Sequence, residues 1–218
     1  MKKDFYEFCE IIEKLRAPDG CPWDREQTHK SLSKHLLEEA YEAYDAIIDE
    51  DSHHTMDELG DVLLQIVMHA QIAKEEGEYT IDDITDNVAQ KMIDRHPHIF
   101  SDTVVSSSEE VLDNWEEIKR KERGQKKTWE SLSDITQSLP ALMKSIKVIS
   151  KAQKGGVLPE IGKNSFLKDD LDITKDNLGE CLFEICRVAQ AKNLDPEAEL
   201  GLFLKNFTKK VQKLEENT

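Results

Sequence analysis

The sequence predicts an all-α protein, an antiparallel helical bundle. Apolar residues recur at three- and four-residue steps along most of the chain, only 9 Gly and 6 Pro interrupt its 218 residues, and β-hairpin signals are scarce. Helices are expected over 3–16, 32–48, 54–76, 80–95, 108–123, 138–153, 172–192 and 196–215. The first is charged and helical in period. In the second, Leu36, Leu37, Ala40, Ala43, Tyr44 and Ile47 supply an apolar face. In the third, Leu59, Val62, Leu63, Ile66 and Val67 do the same. Asp49, Glu50, Asp51 and Ser52 form a polar turn between these two, which should therefore be antiparallel neighbours. Ser107 and Glu110 form a capping box that starts the fifth helix. A basic stretch follows, Lys119, Arg120, Lys121, Arg123, Lys126 and Lys127, read as a solvated helix end and linker or as a phosphate-facing patch.

Between Lys34 and Lys74 there is no Lys or Arg, yet Glu38, Glu39, Glu42, Asp45, Asp49, Glu50, Asp51, Asp57, Glu58 and Asp61 fall in that interval. Carboxylates concentrated without counter-charge raise one another's pKa unless a cation intervenes. On the second helix Glu38 and Glu42 are one turn apart, with Glu39 three residues from Glu42; on the third, Glu58 and Asp61 repeat the three-residue step. Four carboxylates should then converge, and an all-oxygen set favours Mg²⁺ or Mn²⁺. Two other readings stand beside this one. The acids can form a solvated face, and Thr55 with Glu58 can form a capping box that occupies Glu58 with its own helix start.

The net charge of −16 argues against nucleic-acid and anionic-membrane binding. Cys9, Cys21, Cys181 and Cys186 lack metal or redox spacing and read as free thiols of a reducing cytoplasm. The most apolar stretch, residues 62–73, is short and broken by Gln65, His69 and Gln71, so no membrane span is expected. A di-iron bundle would need two Glu-x-x-His units, and only Glu26 to His29 offers one. His29, His53, His54 and His69 carry no functional case from sequence.

The segment 57–66 recurs as 176–185 at an offset of 119, with Asn177 in place of Glu58 and Glu180 in place of Asp61. No counterpart of the Glu38–Glu42 helix lies between Gly155-Gly156 and this copy, so a duplicated half that lost its acids is expected to be structural.

The acidic pattern Glu38-Glu39-x-x-Glu42 and Glu58-x-x-Asp61 resembles the signature of the MazG family of all-α nucleoside triphosphate pyrophosphohydrolases. Its flanks resemble family blocks in family order: Gly20-Cys21-Pro22-Trp23-Asp24 with Gln27-Thr28, then residues 95–100, then Asn114-Trp115 with Lys119. The resemblance implies a catalytic domain over 1–125, a linker over 126–138 and a shortened, degenerate second domain over 139–218. It implies Mg²⁺-dependent hydrolysis of nucleoside triphosphates to monophosphate and pyrophosphate by a homodimer. Glu39, Glu42, Glu58 and Asp61 would be its metal ligands, and Glu38 would orient the attacking water. Lys91, Arg95, Trp115, Lys119 and Trp23 would contact substrate.

Plainer roles remain open for several of these. Lys91 and Arg95 can pair with Asp94 or Asp86, Trp115 can pack with Val111 and Leu112, and Trp23 can close a loop over the core. His96 and His98, flanking Pro97, are expected to make structural hydrogen bonds. A non-catalytic acidic helical scaffold is the alternative function.

Overall fold

The computed structural model describes residues 2–125, 127–156 and 174–203, and these are helical with no strand among them. The chain divides into two compact units between Ser107 and Ser108.

The first unit holds α1 (Phe5–Arg16), α2 (Pro22–Glu26), α3 (His29–Ile48), α4 (Ser52–Glu76), α5 (Ile81–Arg95) and α6 (Pro97–Phe100). Periodicity does not foresee α2 or α6, because one turn of helix carries no period; each opens on a proline, whose missing N–H costs nothing there. α3 begins at His29 rather than at 32, since Thr28 and Ser31 close a reciprocal cap. Its last turn runs into Asp49 and then Glu50, which sits in the left-handed region at φ 56° and reverses the chain.

Asp51 then caps α4 by accepting from the amides of His53 and His54 at 3.1 and 3.0 Å. These amides, that of His54 foremost, hold the Asp51 carboxyl below its ordinary range. The helix therefore starts at Ser52, and Thr55 is not its cap. Glu58 stands in the second turn, released from the capping role that the sequence left open.

α3 and α4 are joined by three residues and pack along their length, which makes them an antiparallel hairpin. Register agrees: His29 meets His69 near the open end, while Glu39 meets Glu58 and Asp61 nearer the turn. The core is at the open end, where Ile12 of α1 and Leu32 of α3 close over Val67, Met68 and Ile72 of α4, with Phe8, Cys9 and Leu64 around them. Arg16 locks this end. Its side chain is 6% exposed, donates to the carbonyls of Asp24 and Gln27, and forks onto Glu75 at 3.0 and 2.7 Å. Beside it, a Cβ on Gly20 would overlap the Leu15 and Lys14 carbonyl oxygens, so only glycine fits this close backbone approach.

The turn end of the hairpin departs from the expected burial. Ala43 and Ala46 are buried, but Leu37, Tyr44, Ile47 and Leu59 are about half exposed, because α1 reaches only the other end.

The second unit contains α7 (Ser108–Glu122), α8 (Thr128–Ser133), α9 (Ala141–Lys154) and α10 (Leu178–Ala191). The short α8 falls inside residues 126–138. α9 packs on α8 and α10 around Ile149, Ala152, Cys181 and Cys186. Lys154 and Lys151 pair with Asp113 and Glu116 at 2.7 and 3.5 Å, tying α9 to α7. Three members of the basic stretch are paired: Lys121 with Glu117, Lys119 with Glu116 and Arg123 with Asp134. Residues 196–203 are helical; the rest of the last expected helix lies outside the described residues. Asn177 precedes α10 as its N-cap, so the counterpart of Glu58 sits at a helix boundary in the second copy.

Candidate active site

Glu39 sits midway along α3, and Glu58 and Asp61 lie one turn apart near the start of α4. Antiparallel packing puts one carboxylate oxygen of each within 4.8 Å of the other two. No Lys or Arg among the described residues pairs with these carboxylates. The Glu58 side chain is only 12% exposed; its Oε1 lies 2.8 Å from His54 Nε2, and its Oε2 is buried with no hydrogen-bond partner. A buried carboxylate oxygen with no hydrogen-bond partner, close to two further carboxylates, is costly unless a cation offsets it. The donors are all oxygen, so the set fits a hard divalent cation.

Glu39 reports the same crowding. Burial raises its pKa above 4.5, the charges of Asp61, Glu42 and Glu58 raise it further, and His35 opposes them. An acid whose folded pKa is raised stabilises the fold when protonated, and that contribution is lost as pH rises through the folded value. Without metal, the wild type should therefore be less stable than Glu39→Gln at neutral pH, and the two should converge as pH falls towards 4.5. Added Mg²⁺ should reverse the neutral-pH order. Thermal unfolding of both proteins from pH 4.5 to 7.5, with and without the cation, checks this; parallel curves without metal would contradict it.

The other expected residues fall as follows. Glu42 is close enough to raise Glu39 but is outside the trio. Glu38 is exposed and 3.2 Å from His35 Nδ1. Trp23 is 56% exposed, so it does not close over the core; it stands edge-on to His35 with centroids 6.5 Å apart, on the flank of the acidic group. Lys91 and Arg95 lie one turn apart near the end of α5, Lys91 exposed and Arg95 partly buried. Trp115 and Lys119 are in the second unit, on α7, where the ammonium sits 4.3 Å from the indole centroid. Trp115 is half-buried; of the two neighbours expected to pack on it, Val111 is half-buried and Leu112 is exposed. His96 Nδ1 lies 2.6 Å from the Met92 carbonyl oxygen, the structural hydrogen bond foreseen for it.

Sequence reasoning passed over His54 and underused His35. The signal was present, because His54 precedes Glu58 by four residues and His35 precedes Glu39 by four, the spacing of helix neighbours.

A helical hairpin that focuses an all-oxygen donor set defines the class: an all-α protein with a carboxylate site of the kind that holds a hard divalent cation. Residues 27–100 match the sequence model of the MazG nucleotide pyrophosphohydrolase domain. The chain is 37% identical over 224 residues to the nucleoside triphosphate pyrophosphohydrolase/pyrophosphatase MazG of Thermotoga maritima, an alignment covering 97% of this chain and 86% of that protein. The chain belongs to the MazG family. The nucleoside triphosphate pyrophosphohydrolase of Escherichia coli strain K12 is 46% identical over 147 residues, 67% of this chain and 56% of that one. The uncharacterized protein YabN of Bacillus subtilis is 49% identical over 147 residues, 66% of this chain and 29% of its own length. The chain thus spans less than two thirds of these last two relatives.

Proposed function

We propose that this chain hydrolyses nucleoside triphosphates, ribo- or deoxyribo-, to nucleoside monophosphate and pyrophosphate, with Mg²⁺ as cofactor and Mn²⁺ as a substitute. The observation that carries this is the meeting of Glu39, Glu58 and Asp61 within 4.8 Å around the unpartnered Glu58 Oε2. These three residues, with Glu42 beside them, would hold the cation. When bound, it supplies the positive charge that lets a polyanionic substrate approach four carboxylates, and it acidifies an attacking water.

The side chains do the rest by position. Glu38, exposed and next to Glu39 in sequence, would orient the attacking water. His54 holds Glu58 Oε1 and so fixes the direction of Oε2. Lys91 and Arg95 share a helix face, which suits them to successive phosphate oxygens; a guanidinium fork matches phosphate particularly well. Trp23 offers an exposed ring for the base, and Trp115 and Lys119 keep the substrate-contacting role that the family resemblance implies. Phosphoryl chemistry of this kind needs positioning and charge stabilisation, so no covalent intermediate is invoked.

The catalytic region is taken as 1–125, with 126–138 as linker and 139–218 as a degenerate copy. Its change of Glu58 to Asn177, at a helix cap, supports that assignment. No described helix is long and apolar enough to cross a membrane. The four cysteines are free, in keeping with a reducing cytoplasm.

Purified protein incubated with each common nucleoside triphosphate and Mg²⁺ should yield monophosphate and pyrophosphate in equal amounts, and chelation should stop the reaction. Orthophosphate with diphosphate, or no reaction, would contradict the proposal. The half-exposed apolar side chains at the turn end of the hairpin support a homodimer. Sedimentation at micromolar concentration should give twice the monomer mass, and a monomer alone would refute the dimer.

A further inference from the structure

The open end of the hairpin carries a second group of ligating side chains, chemically unlike the first. His29 begins α3, and its Nδ1 lies 2.7 Å from Nδ1 of His69 on α4. The two rings lie within 7° of parallel with centroids 5.0 Å apart, edge to edge across this contact, and Tyr79 is tilted to His29 at 6.5 Å. Two ring nitrogens so close share one proton, which commits His29 Nδ1 and holds its ring in place. The remaining nitrogen, Nε2, is buried and makes no hydrogen bond.

Glu76 and Glu78 are brought to His29 by the way α4 ends. Gly77 takes the left-handed conformation at φ 74°, and the Glu78 amide donates to the Ala73 carbonyl at 2.9 Å, so the chain folds back and carries both carboxylates to His29. A ring nitrogen of His29 and one oxygen from each glutamate lie within 4.8 Å of one another. Glu76 Oε2 is 3.9 Å from His29 Nε2, too long for a hydrogen bond. No Lys or Arg among the described residues pairs with either carboxylate. The His29–His69 contact explains the hold on Nδ1, but not why two carboxylates without a Lys or Arg partner are brought to a ring whose Nε2 makes no hydrogen bond.

We propose that His29, Glu76 and Glu78 bind a divalent transition metal of the Zn²⁺ type, which ties the start of α3 to the end of α4. Two carboxylates neutralise the dication, and the imidazole nitrogen selects a borderline metal over Mg²⁺ or Ca²⁺. His69 accepts the proton of His29 Nδ1, the outer contact that fixes a ligating ring's tautomer and leaves Nε2 to the metal. This site is separate from the carboxylate trio in place and in donor type, and it stands whether or not the trio serves hydrolysis.

The test is calorimetric titration of the full-length protein with Zn²⁺ in saturating Mg²⁺, for wild type, Glu58→Gln and the double variant Glu76→Gln/Glu78→Gln. Both glutamates are exposed, so the double variant should fold as wild type does, which circular dichroism checks. Wild type and Glu58→Gln should bind one Zn²⁺ that the double variant binds at least about 100-fold more weakly. Zn²⁺ should also raise the melting temperature of the first two proteins and shift the His29 imidazole ¹⁵N resonances. Equal Zn²⁺ binding by wild type and the double variant, no binding by wild type under Mg²⁺, or unmoved His29 resonances would each overturn the proposal.

Discussion

Glu58→Gln should lower pyrophosphate release by about 10²–10³-fold while leaving the metal-free fold as stable as wild type or more so. The two effects run in opposite directions for one reason. Glu58 is one of three mutually close carboxylates, its side chain is only 12% exposed, and its Oε2 has no hydrogen-bond partner among the described residues. Neutralising it relieves repulsion on Glu39 and Asp61, which favours the metal-free fold. The amide oxygen can still face His54. The same change would remove an anionic donor from the proposed cation site, weakening both retention of the cation and its alignment with substrate. A glutamate serving only as a helix cap would behave otherwise, losing stability without such a loss of rate, but Asp51 already caps α4. Rates at several Mg²⁺ concentrations, with thermal unfolding in chelator, read both halves of the expectation. Retained turnover would remove Glu58 from the site; lost turnover together with marked destabilisation would assign it a structural role.

Arg16→Ala should cost about 2–4 kcal/mol of stability, the largest effect expected outside the site. The guanidinium is nearly buried and serves three partners: truncation strips the donor from the Asp24 and Gln27 carbonyls and leaves Glu75 facing the gap. Glu75 is partly exposed, so its ion pair alone is a modest part of the total. Arg16→Lys should recover little, since an ammonium cannot bridge two carbonyls and a carboxylate at fixed angles. The pair also sets a pH dependence. The Arg16 hydrogen bond holds the Glu75 carboxyl below 4.5, so its contribution is present above that value and is lost as pH falls through the depressed one. Urea unfolding at pH 7 and below 4.5 should show a gap between wild type and Glu75→Gln that closes with acid. A loss below about 1 kcal/mol for Arg16→Ala would mean that α2 and its loop do not depend on this contact.

The interval from Lys34 to Lys74 shows how far the sequence can be read. An absence of basic residues among ten acids is visible without coordinates, and so is the three-residue step of Glu58 and Asp61. Which acids meet is another matter. Glu38, Glu39 and Glu42 share one stretch of helix, and spacing alone places all three near the focus. Rotation of α3 against α4 decides that Glu39 turns inward to Glu58 while Glu38 stays in solvent beside His35. The cap of α4 is equally undecided by local rules, because Thr55 with Glu58 satisfies the capping-box pattern. The left-handed Glu50 turn settles it by delivering the Asp51 carboxylate to the free amides of His53 and His54. The histidines were missed for the same reason: His29 and His69 are forty residues apart and meet only across the hairpin.

Helical class, the antiparallel pair and the identity of its acidic residues follow from period and composition, which act over a few residues and survive in a linear string. The focus of three carboxylates, the orphaned Glu58 oxygen and the second group at His29 depend on contacts between residues about twenty to fifty positions apart. Such contacts are set by how α1 and the two hairpin helices share one small core. Packing angle and register belong to the folded chain as a whole, so they emerge only when every apolar stripe has found its partner.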